Sequence, residues 1–165
     1  MNKKIITLFI TLSLLFPQVS FAGNLALSAS SYILMDEVSG RVIVEHNCHQ
    51  RMPMASTTKI MTALIALEKS DLDDLVKIDE RSINIEGSSI YLKNNEKISM
   101  KDLLYGLMLR SGNDAAVAIA NYVNSEEEFV ELMNEKAKAL NAKNTNFTNP
   151  HGLSHDDHYS TAYDL

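Results

Sequence analysis

Apolar and polar positions alternate in two short runs near the start of the chain, Ser31–Asp36 and Arg41–His46. Period-two alternation is the mark of half-buried strands. The Glu37-Val38-Ser39-Gly40 segment between them supplies a turn, so the pair reads as a hairpin. The spacing then changes. After Pro53, the stretch from Met54 to Ser70 contains neither glycine nor proline and is rich in apolar residues, which predicts a buried helix starting near Ser56. Leu75–Ile78 reads as a short strand and residues 82–98 as irregular. Ser99 followed by Asp102 reads as a helix start, with Leu103, Leu104, Leu107 and Met108 as its apolar stripe. Ser111-Gly112-Asn113 interrupts this pattern, and an apolar helix resumes from Ala115 to Val123. Ser125 with Glu126, Glu127 and Glu128 opens a further helix reaching about Leu140; acids in a first turn complement the helix dipole. Residues 144–160 form a polar, histidine-rich loop, and Thr161 with Asp164 reads as one more helix start. Mixed strands and helices make this an α/β chain.

The first residues do not belong to this plan. Lys3 and Lys4 precede an apolar run from Ile5 to Phe16, and Ser20-Phe21-Ala22 is a small-x-small cleavage site. The run is too short for a comfortable membrane span. Residues 1–22 therefore read as a secretory signal, leaving a single domain over 23–165 outside the cytoplasmic membrane; uncleaved, the same segment would act as an anchor. Cleavage removes two lysines and no acid, so the net charge of −6 becomes −8. Nucleic acid is not expected to bind so acidic a chain. Cys48 is the only cysteine, which excludes an internal disulfide and leaves it a small, partly buried apolar residue.

Two short patterns carry candidate chemistry. Ser56 and Lys59 lie three residues apart at the leading end of the predicted helix, so their side chains share a face. A serine hydroxyl becomes nucleophilic when a base takes its proton, and a desolvated lysine amine can be that base. Free backbone N–H groups at the helix start suit a developing oxyanion. The plainer reading makes Ser56 an N-cap and Lys59 a solvated residue. Ser111-Gly112-Asn113 can place a hydroxyl and an amide at a cleft mouth; its plainer reading has Gly112 ending one helix and Asn113 or Asp114 capping the next. His46, Cys48 and His49 lack a second ligand pair of zinc-finger spacing, and His151, His155, Asp156 and His158 fall in the polar loop, so no metal is expected.

Ser-x-x-Lys followed by Ser-x-Asn is the opening pair of the penicillin-recognising serine enzymes. The resemblance extends further. Residues 53–64, 102–118, 145–153 and 158–165 are similar, in order, to the D-alanyl-D-alanine carboxypeptidases, the low-molecular-mass penicillin-binding proteins of serine peptidase family S11. The resemblance implies a β-lactamase/transpeptidase-like α/β fold and removal of the terminal D-alanine from the peptidoglycan stem peptide. Ser56 would be the nucleophile, Lys59 would accept its proton, and Ser111 would relay a proton toward the departing D-alanine. Asn113 would hold the substrate backbone and Lys59, and the Ser56 N–H would serve as one oxyanion donor. β-Lactams, which mimic the D-Ala-D-Ala end, would acylate the same serine, and no metal or organic cofactor is needed. The family's third mark, Lys-Thr-Gly on a late strand, does not occur in these residues. The chain is therefore expected to be the front part of the catalytic domain: the hairpin lacks sheet partners and the isolated polypeptide has little carboxypeptidase activity. Membrane association would come only through a further C-terminal region or an uncleaved signal. The rival readings are a serine β-lactamase, against which Ser-Gly-Asn in place of Ser-Asp-Asn argues, and an inactive or partner-dependent fragment.

Overall fold

The computed structural model describes residues 27–165; the signal segment and the first few residues after it lie outside them. The hairpin forms as expected from its alternation. β1 (Tyr32–Met35) pairs antiparallel with β2 (Val42–His46), Tyr32 opposite His46 and Leu34 opposite Val44. Asp36 carries the turn: its carboxylate accepts from the Ser39 N–H at 2.8 Å, and Gly40 takes φ +66°. Among the described residues these two strands form a two-stranded sheet, with Leu34 and Ile43 more than half exposed.

Four helices make the body of the domain. A one-turn 3-10 helix, Ala55–Thr57, leads into α1 (Thr58–Lys69). α2 (Met100–Arg110) starts at Ser99, whose Oγ accepts from the Asp102 N–H at 3.1 Å. α3 (Asn113–Val123) follows after two residues, and α4 (Glu126–Ala139) completes the set. The serine helix is not the most buried of these. Ile60 and Leu67 of α1 are 54% and 57% exposed, whereas every residue of α3 from Asn113 to Ala120 is buried. α3 is the central rod, packed against α1, α2 and α4. Its run of alanines lets neighbouring helices approach closely, and Leu103, Leu107, Phe129 and Met133 fill the space around it.

Two departures from the sequence reading have local causes. Lys97–Ser99 forms a three-residue strand, β4, antiparallel to β3 (Leu75–Lys77), and its first two residues end the stretch 82–98 read as irregular. Three residues are too few to display a period. Thr161 and Asp164 make a turn in place of a helix: the Thr161 Oγ1 accepts from the Asp164 N–H at 3.0 Å, as a cap does. The Asp164 carboxylate instead accepts from the Asn144 N–H at 2.7 Å and the Thr145 hydroxyl at 2.9 Å, tying this turn to the loop that begins there.

The start of α4 is the strongest local signal in the chain. Ser125 and Glu128 form a reciprocal capping box, with the Ser125 Oγ accepting from the Glu128 N–H at 3.2 Å. Ser125→Ala is expected to lower stability by about 1 kcal/mol, read as a reduced midpoint in denaturant unfolding with an unchanged slope. No loss would show that buried Phe129 and Met133 alone fix this helix.

Candidate active site

The chain enters the site under strain. Ala55 has φ +46°, a left-handed conformation that alanine rarely adopts. It presents Ser56 on the 3-10 turn, exposed to solvent, one turn ahead of Lys59. Lys59 is the opposite case, 2% exposed. Its ammonium nitrogen lies 3.3 Å from the Ser56 Oγ, 2.7 Å from the Asn113 Oδ1 and 2.6 Å from the His151 carbonyl. Among the described residues no carboxylate is paired with Lys59, and burial alone moves its pKa down from 10.5 to about 8.

These three oxygens satisfy either protonation state. As an ammonium, Lys59 donates to all three. As an amine it has two N–H groups, which the Asn113 and His151 oxygens take, and one lone pair left toward the Ser56 hydroxyl. The Ser111 hydroxyl donates to the Ser56 Oγ at 2.8 Å, so two hydroxyls and an amine form one chain.

Ser111 reaches this position through an unusual cap. It, and not Gly112, takes the left-handed conformation that ends α2, with φ +56° and ψ +33°. Gly112 then stands at the N-cap of α3 with no side-chain cap, which corrects the assignment of Asn113 or Asp114 to that role. Both side chains are used elsewhere. The Asn113 Nδ2 donates to the Glu86 carbonyl at 2.6 Å, fixing which end of the amide faces Lys59. The Asp114 carboxylate, 1% exposed, accepts from the Ile90, Leu92 and Ala115 N–H groups and from the Ser89 hydroxyl at 2.6 Å. One buried acid thus folds the 86–92 loop along the cleft.

The loop at 148–153 closes the other side and was only partly visible in the sequence. Asn149 accepts from the His151 and Gly152 N–H groups, at 3.3 and 2.6 Å. The turn it shapes meets α1 through the His151 carbonyl on Lys59 and the Pro150 carbonyl on the Thr62 hydroxyl, the latter at 2.6 Å. His158, read as a loop residue, is buried beneath the site. Its Nδ1 accepts from the Thr148 N–H at 3.0 Å, so the proton sits on Nε2, which donates to the Thr58 Oγ1 at 2.7 Å. Burial holds both His151 and His158 down at about 4, neutral near pH 7, so neither competes with Lys59 as a charge. Of the sequence candidates, the structure brings Ser56, Lys59, Ser111 and Asn113 together. His46, His151, His155 and Asp156 do not gather into a group of metal donors among the described residues.

A helical body around α3, an N-terminal hairpin and a serine–lysine–serine cluster define the penicillin-binding-protein/transpeptidase fold class. A structure of D-alanyl-D-alanine carboxypeptidase DacD from Francisella tularensis superposes with a TM-score of 0.83 at 35% identity, over 90% of this chain and 38% of that one. Penicillin-binding protein 5 from Haemophilus influenzae gives 0.79 at 37% identity, over 84% and 43%. The chain belongs to the D-alanyl-D-alanine carboxypeptidase family, peptidase family S11, whose model matches residues 18–165. Among curated relatives, D-alanyl-D-alanine carboxypeptidase DacF from Bacillus subtilis strain 168 is 41% identical over 179 aligned residues, covering all of this chain and 46% of the relative. The chain spans about half the length of the curated relatives it matches.

Proposed function

We propose that this chain carries the nucleophile side of a serine-type D-Ala-D-Ala carboxypeptidase acting on peptidoglycan stem peptides outside the cytoplasmic membrane. The supporting observation is Lys59, a buried amine with no carboxylate partner among the described residues, set between the Ser56 hydroxyl and two fixed acceptors. Ser56 Oγ attacks the carbonyl of the penultimate D-alanine while its proton passes to the Lys59 amine. The Ser56 N–H serves as one donor to the resulting oxyanion. Collapse breaks the amide bond. The leaving D-alanine nitrogen takes the proton of the Ser111 hydroxyl, and the Lys59 ammonium, which holds the proton taken from Ser56, replaces it. Water then attacks the Ser56 ester and releases the shortened peptide. Asn113 keeps Lys59 in line and borders the substrate path.

β-Lactams are proposed to enter by the same route. Incubation of the purified protein with a fluorescent penicillin is expected to give one covalent adduct, located by peptide mass mapping on Ser56. A long-lived adduct fits a carboxypeptidase; rapid turnover would point to a β-lactamase. An adduct on a residue other than Ser56, or none on folded protein, overturns the proposal.

A further inference from the structure

We propose that Glu45, Cys48 and His49 form a binding site for a borderline-soft divalent metal ion, with zinc the best match. The site lies on the loop that carries the chain from β2 toward Ser56. It is independent of the catalytic reading.

The sequence reading tested His46 with Cys48 and His49 and found no metal spacing. The fold selects a different trio. Asn47, with φ +47°, turns the chain back at the end of β2. Glu45, the next-to-last residue of β2, then faces the two residues that follow the bend, while His46 is directed elsewhere: its ring stacks on Tyr32 and its Nε2 meets the Asn47 Nδ2 at 3.1 Å. One donor atom from each of Glu45, Cys48 and His49 lies within 4.8 Å of the other two. In a tetrahedral zinc site, bonds of about 2.0–2.3 Å place donors roughly 3.3–3.8 Å apart, so rotation of exposed side chains is enough to close the set. The Cys48 Sγ already donates to the Glu45 Oε2 at 2.9 Å.

The loop is held in place before any ion binds. The Ser31 hydroxyl donates to the Asn47 carbonyl at 3.0 Å, the Tyr163 N–H donates to the Cys48 carbonyl at 2.9 Å, and the His49 ring packs 4.7 Å from that of Tyr163. Cys48 is 3% exposed, whereas Glu45 and His49 face solvent. A sulfur donor thus forms the floor, with nitrogen and oxygen donors at an open mouth where water can take a fourth position. Sulfur and imidazole with one carboxylate suit zinc and not magnesium or calcium, which call for oxygen ligands throughout. In the metal-free chain the thiol keeps its proton and gives it to its hydrogen bond with Glu45. Binding therefore replaces the S–H bond with a sulfur–metal bond and releases one proton per ion.

The test is titration of the reduced, metal-stripped protein with Co2+ as a spectroscopic stand-in for Zn2+. The expected result is one ion per chain, a sulfur-to-cobalt charge-transfer band, release of one proton, and displacement by Zn2+. Cys48→Ser is expected to abolish the band. His49→Ala and Glu45→Gln should each weaken binding by more than the roughly 10–100-fold typical of an outer-shell partner. Absence of the band in the unaltered protein overturns the proposal. So does a band whose affinity is unchanged in both His49→Ala and Glu45→Gln, because that is a thiol acting alone.

Discussion

Lys59→Met is expected to slow acylation of Ser56 by penicillin about 10²–10⁴-fold, the range lost when a positioned general base is removed. Methionine fills the buried space but accepts no proton. Lys59→Arg should fail equally, because a guanidinium does not deprotonate in a protein. The unaltered protein supplies a sharper check. Burial lowers Lys59 to about 8, so most molecules hold an ammonium below that pH and a free amine above it. The acylation rate should then climb about tenfold per pH unit well below the midpoint and level off above it. His151 and His158, at about 4, are neutral throughout and add no second limb in this window. The same shift has a sign for stability. Between about 8 and 10.5 the unfolded chain holds a proton on Lys59 that the folded chain does not, so this group's contribution to stability rises with pH across that window. A stopped-flow acylation profile flat from roughly pH 6 to 9 would remove Lys59 from the role of base.

What the sequence made legible were features written in local pattern. The hairpin announced itself by alternation and a turn, and α4 by Ser125 with three acids in its first turn. Ser56 and Lys59 are three apart on continuous helical geometry, so their proximity needed no tertiary knowledge. Other features depend on contacts between distant segments. Lys59 is buried although Ile60 beside it is half exposed; the difference comes from Asn113 and the 148–153 turn closing over one face of α1. Apolar density along α1 therefore gave the right burial for Lys59 by an incomplete route. His158 lies 100 residues from Thr58, and no spacing rule links them. Asp114 looked like a helix cap because caps and loop anchors use the same residue types; only the fold shows that its acceptors serve Ile90 and Leu92. The Glu45–Cys48–His49 group was hidden for a related reason: strand alternation separates Glu45 from His46, and the bend at Asn47 decides which of them faces the cysteine.

Gly152→Ala is expected to disable the site from a position that takes no part in the chemistry. Gly152 has φ +93°, and a methyl group added there would stand 1.9 Å from the Ala55 carbonyl oxygen and 3.0 Å from the Thr58 Oγ1. Neither neighbour is a flexible side-chain end: one is backbone, and the other is fixed by His158. Either the turn must back away from α1 or Ala55 must move. The first response withdraws the His151 carbonyl from Lys59, leaving a buried amine short of an acceptor. The second shifts a residue already held at φ +46°, and Ser56 with it. Left-handed strain and overpacking at this position together should lower stability by about 2–5 kcal/mol. A displacement near 1 Å at the nucleophile should lower the acylation rate about 10²-fold even in molecules that remain folded. Gly40→Ala separates strain from collision. That glycine has φ +66° and open space around it, so it should lose only about 1–2 kcal/mol and acylate normally. Thermal unfolding and single-turnover acylation of both variants make the comparison. If Gly152→Ala acylates like Gly40→Ala, the 149–153 turn is not what holds Ser56 and Lys59 in register, and the closure of the site must be sought in the 86–92 loop anchored by Asp114.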